Sequence, residues 1–275
     1  ADHTLHAEEL TLGYRERTVI HDLDLEVPAG RLTAIVGANA CGKSTLLRSM
    51  SRLLTPSAGQ VLLDGKRVHR MPAKELARTL GLLPQSPLAP EGITVSDLVG
   101  RGRNPHQGML SRWSRDDDEA VAAALDATGS PAVGGRAGDE LSGGRRQRAA
   151  TARALAPGPT VLIADEPVSM LDVSIRLGVL NLLARLQREE NLAMLYITHD
   201  LATARHFSDE ILVMYRGEVV ERGPADEVIL NPQAEFTKQL LIAAPEPGNN
   251  PRFLAEARRR GVPMPDHLAL AEENT

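Results

Sequence analysis

Residues 37–45 constrain the fold of this chain more than any other stretch. They read Gly-Ala-Asn-Ala-Cys-Gly-Lys-Ser-Thr and match the spacing G-x-x-x-x-G-K-[ST] of a phosphate-binding loop. The apolar run at 32–36 predicts a buried strand before the loop, and residues 44–50 predict a helix after it. In that setting the loop amides and the positive end of the helix dipole face one point, where polyphosphate is held. Lys43 adds a cation for the phosphates and Ser44 a hydroxyl for Mg²⁺, so we expect a nucleoside triphosphate as the ligand.

Length and composition exclude several classes of protein. At 275 residues the chain is long enough for one large α/β domain, or for a domain with a subdomain. The net charge of −5 and the aromatic content of 3% argue against a nucleic-acid partner. The single cysteine, Cys41, forms no intrachain disulfide, residues 1–9 lack a signal-peptide pattern, and no apolar run is long enough to span a membrane. We therefore expect a cytosolic protein that reaches a membrane only through a partner.

The first third of the chain alternates short apolar runs with turns. Residues 5–36 and 57–65 predict an antiparallel β-layer that leads into the loop strand. Tyr14 lies in its first turn, where an aromatic ring either stacks on adenine or covers a strand end. A further strand over 80–83 is followed by Gln85 and a Pro-rich connector. Gln85 therefore stands where the core passes into another part of the chain, as a solvated turn residue or as part of a site.

A helical insert is predicted after this connector. Residues 93–101 and 120–127 predict helices, and the loop over 102–113, rich in Gly, Pro, His and Arg, is expected to be cationic, exposed and suited to a partner's surface. The acidic run at 116–119 lacks the spaced ligands and the Gly turn of a calcium loop. We interpret Ser114 as the cap of a helix whose acidic first turn complements the helix dipole.

A second anion site is predicted at Ser142, Gly143 and Gly144. This turn opens a helix that extends to about residue 156, and such a turn directs several backbone amides at one point. The first turn of the helix is cationic, which the helix dipole disfavours and which a bound anion would compensate.

Two apolar strands end in titratable side chains. The strand over 161–165 ends in Asp165 and Glu166, and the strand over 193–197 is followed by His199. Because the carboxyl ends of parallel strands line the ligand crevice and neighbouring side chains alternate, one carboxylate can serve Mg²⁺ while the other orients water. His199 reaches the same edge, where its imidazole either hydrogen-bonds a terminal phosphate or is structural.

In this order, the motifs resemble those of the nucleotide-binding subunits of ABC transporters. The most specific part is the turn Leu141-Ser142-Gly143-Gly144 ahead of the Asp165-Glu166 strand, and the resemblance covers about residues 5–244. It implies an α/β fold with a P-loop NTPase core, a mixed, largely parallel sheet, an antiparallel β-layer and a helical subdomain. The implied division is an ATPase domain at 1–244, with its core at 1–85 and 159–231 and its helical subdomain at 86–158, and a C-terminal extension at 245–275.

The resemblance also implies a role for each site residue. Glu166 would polarise the attacking water, His199 would steady it, and Gln85 would sense the γ-phosphate and the membrane partner. The residues implied to act in catalysis are Lys43, Gln85, Glu166 and His199, and those implied to hold Mg²⁺ are Ser44, Gln85 and Asp165. The residues implied to bind ATP are Tyr14, Gly37, Ala38, Asn39, Ala40, Cys41, Gly42, Lys43, Ser44, Thr45, Ser142, Gly143, Gly144 and Asp172.

The implied partners follow from the presence of two anion sites in one chain. The two sites are too separate to share one nucleotide, and the resemblance assigns residues 142–144 to the ATP of an opposite protomer. We therefore expect a head-to-tail homodimer that closes on two ATP molecules. The resemblance further implies transmembrane permease subunits, a substrate-binding protein reached through them, and a peripheral position at the cytoplasmic face of the cell membrane. The insert, with its loop at 102–113, would receive the coupling helix of the permease.

The subfamily signal is divided. Residues 5–129 resemble ATPases of iron–siderophore importers, notably at 37–43 and 101–107, whereas the chain from Ala164 onward resembles dipeptide and oligopeptide importers, notably at 164–176. We favour siderophore uptake because the permease-facing insert begins in the first half, with peptide uptake as the alternative.

Two further classes are weighed against an importer ATPase. An ABC-type ATPase of chromosomes or ribosomes is remote, because the stretch between Gln85 and Leu141 is too short for a long coiled-coil arm. A regulator without turnover is disfavoured because Glu166 is present.

Two positions depart from the family pattern: Arg145 replaces Gln, and Ala40 replaces Gly. The methyl group of Ala40 would strain the loop if the backbone requires a positive φ there. Neither change touches Lys43, Glu166 or His199, so we still expect hydrolysis.

Overall fold

The computed structural model describes residues 3–15, 17–86, 92–108, 113–130, 135 and 141–243. The predictions for most of the Pro-rich connector, for residues 109–112, for the segment just before Leu141 and for the extension at 245–275 lie outside these ranges. The described residues form two sheets with helices packed around them.

The strands are short, as expected for an α/β core. They are β1 (Leu5–Tyr14), β2 (Arg17–Val27), β3 (Leu32–Gly37), β4 (Ala58–Leu63), β5 (Lys66–Arg67), β6 (Leu80–Leu83), β7 (Val161–Asp165), β8 (Ala193–Ile197), β9 (Glu210–Tyr215) and β10 (Glu218–Pro224).

The helices lie between and after these strands along the chain, with α3, α4 and α5 in succession between β6 and β7. They are α1 (Lys43–Met50), α2 (Ala73–Thr79), α3 (Val95–Gly100), α4 (Arg115–Ala127), α5 (Gly143–Leu155), α6 (Val173–Glu189), α7 (Leu201–Phe207), α8 (Ala225–Leu230) and α9 (Glu235–Ala243), with 3₁₀ helices at Val68–Arg70 and Arg101–His106.

The two sheets have different topologies. The first is antiparallel, in the order β2-β1-β4-β5, and the second has the order β10-β9-β3-β8-β7-β6. In the second sheet β9, β3, β8, β7 and β6 are parallel, and β10 pairs antiparallel with β9 at one edge. The predicted antiparallel layer and the predicted parallel strand of the loop are both confirmed.

Alternation along the central strands divides the core into two layers. Ile163 and Leu195 face the antiparallel sheet and α1, whereas Leu162 and Met194 face α5, α6 and α7. All six residues of β3 are buried, because a strand covered on both faces has no solvent side. This burial fixes the position of the loop that follows β3.

A third apolar cluster joins α3, α4 and α5. At its edge, Arg103 Nε lies 2.9 Å from Asp117 Oδ1 and Arg103 Nη1 donates to the carbonyl of Ala156 at 3.0 Å. The predicted cap is confirmed, since Ser114 and Asp117 form a reciprocal capping box at the start of α4.

The prediction of a loop over 102–113 is wrong for its first half, although Asn104 and His106 are exposed there as expected. Residues up to His106 continue as a 3₁₀ helix, and the Arg103 side chain is only 12% exposed. The carboxylate of Asp117 compensates the buried charge, and sequence periodicity does not reveal such a contact. Among the described residues, no helix combines the length and the apolar character required to cross a membrane.

Candidate nucleotide site

The candidate site lies along one edge of the parallel sheet. The phosphate loop follows β3, Gln85 follows β6, Glu166 follows β7 and His199 follows β8. Because these strands are parallel neighbours, their carboxyl ends meet at the same edge. The sheet therefore brings together residues that are far apart in the sequence.

Lys43 occupies the centre of the phosphate loop. Its ammonium group donates to the carbonyls of Gly37 at 2.7 Å and Ala38 at 2.9 Å, and its side chain is buried. The loop wraps this cation tightly, whereas Ser44, the next residue, is exposed at the start of α1. A buried cation beside an exposed hydroxyl is the donor set that a metal-bound polyphosphate requires.

Backbone conformation explains the glycines of the loop. Gly37 has φ 155° and Gly42 has φ 110°. A Cβ at position 37 would lie 2.3 Å from the carbonyl oxygen of Met214, so the loop tolerates no side chain there. Ala40 has φ 62°, which confirms that this position, where the family has Gly, requires a left-handed backbone.

Neighbouring elements brace the loop. The amide of Gly217, in the turn between β9 and β10, donates to the carbonyl of Cys41 at 2.9 Å. Gly42 lies against the side chains of Val19 and Ile20 in β2. Tyr14 ends β1 in the same hairpin and is 43% exposed, so its ring is accessible near the loop.

Glu166 is held between two polar side chains. Gln85 Nε2 donates to Glu166 Oε2 at 3.2 Å, and His199 Nδ1 lies 3.4 Å from the same oxygen. The Glu166 side chain is 20% exposed, whereas that of His199 is 56% exposed. Glu166 also has φ 42°, a left-handed conformation that is uncommon outside functional sites for a residue other than glycine.

Ser169 also contacts Gln85 and Glu166, although the sequence motifs did not predict this contact. Gln85 Nε2 donates to Ser169 Oγ at 3.2 Å, and Ser169 Oγ donates to the backbone carbonyl of Glu166 at 3.0 Å. A serine hydroxyl commonly bonds to a nearby backbone group in a turn. The position of Ser169, three residues after Glu166, is therefore the sequence feature that could have predicted this contact.

Asp165 differs electrostatically from Glu166. Burial raises the pKa of the Asp165 carboxyl, the neighbouring Glu166 carboxylate raises it further, and Arg48 and Lys43 oppose the shift. The cations of α1 therefore lie close enough to Asp165 to affect its ionisation. No cluster of three or more His, Cys, Asp or Glu side chains suited to a metal occurs in the part of the chain described.

The second predicted anion turn is placed apart from this group. Ser142 caps α5 and is exposed, Gly143 lies against Leu171, and Gly144 packs closely on Ile175. A Cβ on Gly144 would lie 2.4 Å from Cγ2 of Ile175. The turn is therefore fixed to the start of α6, with its open side towards solvent.

Asp172 lies next to this turn in the fold. It caps α6 without a hydrogen bond from its side chain, which is exposed. The structure thus brings Gln85, Glu166 and His199 into contact but leaves Ser142 and Asp172 facing outward.

Comparison with known proteins agrees with this arrangement. The sequence profile of the ABC transporter family matches residues 20–169. The ferric enterobactin transport ATP-binding protein FepC of Escherichia coli is 44% identical over 225 residues, which cover 82% of this chain and 83% of that protein. The oligopeptide transport ATP-binding protein OppF of Bacillus subtilis is 40% identical over 235 residues, which cover 83% of this chain and 76% of that protein.

A solved structure supports the same assignment. CbiO1 of Clostridium perfringens, described as part of the ABC transporter complex CbiONQ, superposes with a TM-score of 0.76 at 28% identity and covers 89% of this chain and 97% of that one. Both the sequence and the fold therefore place this chain in the ABC transporter family, as one of its ATP-binding ATPases.

Proposed function

We propose that this chain is the motor subunit of an ABC importer, in which two copies bind and hydrolyse two molecules of Mg·ATP. The observation that carries the proposal is the position of Glu166, which is held by Gln85 and His199 at the same sheet edge as the phosphate loop. A carboxylate with this support is suited to act as a general base towards water.

The loop fits the polyphosphate of ATP. The close approach at Gly37 and the positive φ of Gly42 hold the loop in its tight turn against β9 and β2. Lys43 would neutralise the β and γ phosphates, the amides of residues 38–45 would cradle them, and Tyr14 would stack on adenine.

Magnesium would enter with the nucleotide. The exposed hydroxyl of Ser44 and the carboxylate of Asp165 are oxygen donors of the kind that Mg²⁺ prefers, and the Gln85 amide oxygen is a third. The ion would neutralise charge that develops on the phosphates during hydrolysis.

Within the chain, three residues would divide the work of hydrolysis. Glu166 would accept a proton from the attacking water, and His199 and Gln85 would hold its carboxylate in the required orientation. Burial and the neighbouring Glu166 carboxylate raise the pKa of Asp165, so a bound cation would stabilise its ionised form.

A second copy would complete each site. Ser142, Gly143 and Gly144 would donate backbone amides to the γ-phosphate bound by the opposite protomer, with Asp172 beside them. This arrangement requires a head-to-tail homodimer. Within each copy, the division proposed is an ATPase domain at 1–244, with a helical subdomain at 86–158, and an extension at 245–275.

The permease would bind the helical subdomain and would hold the protein at the cytoplasmic face of the membrane. A substrate-binding protein would deliver cargo to that permease. We favour iron–siderophore cargo, because the relatives of this chain include FepC, whose name gives ferric enterobactin as its cargo. Peptide cargo is the second candidate, supported by the 40% identity to OppF and by the sequence at 164–176.

The substitution Glu166→Gln tests the ATPase cycle. It removes the proposed base but keeps the shape of the side chain, so ATP should bind and trap a dimer while turnover falls at least about 100-fold. Size-exclusion chromatography with light scattering, at saturating ATP and Mg²⁺, measures the dimer. Glu189→Gln, on the exposed end of α6, is the matched control and should behave as the wild type. A Glu166→Gln variant that stays monomeric would contradict the two-site proposal.

Transport assays separate the two cargo classes. The chain, co-purified with the permease that it binds and reconstituted in liposomes with the binding protein, should drive uptake of radioactive ferric siderophore and not of labelled oligopeptide. The reverse result would assign the peptide class.

A further inference from the structure

Arg176 connects two segments that flank the site. It lies in the first turn of α6, and its Nη2 donates to the carbonyl of Leu171 at 3.4 Å. Its Nη1 lies 3.6 Å from Asp200 Oδ2. Leu171 belongs to the turns that follow Glu166, and Asp200 directly follows His199. A single guanidinium group therefore links the segment after β7 to the segment after β8.

Local hydrogen bonds fix the Asp200 side chain to its neighbours, so a force on its carboxylate reaches the backbone. Its carboxylate caps α7: it accepts hydrogen bonds from the amide of Thr203 at 3.1 Å and from the Thr203 hydroxyl at 2.6 Å. Its own amide donates to Thr198 Oγ1 at 3.0 Å. A shift of the Asp200 carboxylate would therefore shift the backbone on both sides of it, including that of His199.

Packing alone does not fix His199. Its side chain is more than half exposed, and a small cavity, with room for about one water molecule, separates it from α6. The lining of this cavity includes Glu166, Tyr196, Arg176 and Asp200. Polar links across such a space, rather than apolar contacts, set the position of the imidazole.

The contact between Arg176 and Asp200 has little value for stability. The two side chains are 29% and 32% exposed at a separation of 3.6 Å, and pairs of this kind contribute little to folding. Arg176 Nε is buried without a hydrogen-bond partner among the described residues, which is unfavourable for folding. A half-buried arginine whose buried Nε atom has no partner in the described part of the chain calls for an explanation other than stability.

We propose that Arg176 is a positioning residue for hydrolysis. By contacting both the Asp200 carboxylate and the Leu171 carbonyl, it sets the distance between His199 and Glu166, and so the orientation of the base. The inference rests on the proposed function, since it assigns Arg176 an effect that passes through His199. Arg176 itself contacts neither the nucleotide nor the attacking water.

The test compares Arg176→Met and Arg176→Lys in the full-length ATPase, with Mg·ATP as substrate. Arg176→Met should lower kcat about tenfold, with KM for ATP and the Tm unchanged, and Arg176→Lys should recover part of the loss because it keeps one charge–carboxylate contact. Asp200→Asn should lower kcat to a similar extent, since asparagine still caps α7 but carries no charge. Arg188→Met, at the exposed end of the same helix, is the control and should leave kcat unchanged.

The double variant with His199→Ala isolates the route of the effect. If Arg176 acts through His199, adding Arg176→Met to His199→Ala should cause no further loss of kcat. A further tenfold loss in that background, or an Arg176→Met kcat equal to that of the wild type, would overturn the inference. Failure of the proposed function would look different, because the wild type would then show no Mg-dependent turnover, or His199→Ala would retain all of it.

Discussion

At the scale of single residues, the phosphate loop contains a backbone conformation that its sequence does not favour. Ala40 has φ 62°, a region in which an L-residue costs about 1–2 kcal/mol relative to a right-handed conformation. The loop needs this turn to direct its amides at one point, so the strain is retained for the shape of the site.

Replacing Ala40 with glycine should therefore stabilise the protein. We expect Ala40→Gly to raise the free energy of unfolding by about 0.5–1 kcal/mol, because glycine relieves the left-handed strain but loses more entropy on folding. Urea unfolding measures the change. Ala38→Gly, at an exposed neighbour without a positive φ, should give no gain, and an equal gain there would show that strain at position 40 is not the cause.

Asp165 also costs stability at a position that the proposed function requires. A raised pKa means that the folded protein disfavours the ionised carboxylate, so the charge lowers stability at neutral pH. Asp165→Asn should therefore raise the Tm of the nucleotide-free protein and lower Mg-dependent ATP turnover at least about 100-fold. Differential scanning fluorimetry and a phosphate-release assay measure the two effects. A lower Tm for the variant would contradict this account of the charge.

At the scale of elements, Arg103 and Asp117 join the 3₁₀ helix at Arg101–His106 to α4. The bond from Arg103 holds the pKa of the Asp117 carboxyl below its usual range, and the Ser114 amide and hydroxyl add to the shift against the opposing effect of burial. The carboxylate thus closes the capping box and pairs with the arginine at once.

This pair should make the helical subdomain sensitive to acid. Because the pKa of Asp117 is lower in the folded state, its contribution is fully present above about pH 4 and is lost as pH falls through the folded-state value. Asp117→Asn should lower the free energy of unfolding by about 2 kcal/mol at pH 7, with a smaller difference from the wild type at pH 3. Urea unfolding at several pH values measures both. Asp116→Asn, an exposed neighbour in the same turn, should cost only a few tenths of a kcal/mol; a constant deficit for Asp117→Asn across pH would contradict the proposed ionisation.

The elements differ in how well the sequence predicts them. The buried strands β3, β7 and β8 are predicted closely, because each is a continuous apolar run bounded by turn or polar residues. The six-residue helix α8 and the 3₁₀ helix at Arg101–His106 were not predicted, since such short elements carry little periodic signal and depend on tertiary contacts.

The site shows a similar division. Parallel topology makes it predictable that Gln85, Glu166 and His199 share one edge, because each follows a parallel strand. The contacts of Ser169 and Arg176 are not predictable in this way, since they depend on the course of the turns between β7 and α6. The shared sheet edge can be inferred from the residues that end the strands, but the hydrogen bonds around Glu166 cannot.

At the scale of the whole molecule, the phosphate loop and the 142–144 turn are proposed as halves of two different sites. The phosphate loop braces on β2 and on the β9–β10 turn, whereas residues 142–144 are fixed to the start of α6. Because different elements brace the loop and the turn, the two are separate parts of one chain. The proposed dimer would place each loop opposite the 142–144 turn of the partner.

Mixed dimers test this exchange. One chain carries Lys43→Ala and the other Ser142→Arg, both with Glu166→Gln so that bound ATP is retained. In a head-to-tail dimer the two defects fall in the same site, so the mixed dimer keeps one intact site while each homodimer keeps none. Native mass spectrometry of differently tagged chains should show one nucleotide per mixed dimer and none in either homodimer. If each chain formed its own complete site, every site in the mixture would carry a defect, and the mixed dimer would hold no more nucleotide than the homodimers.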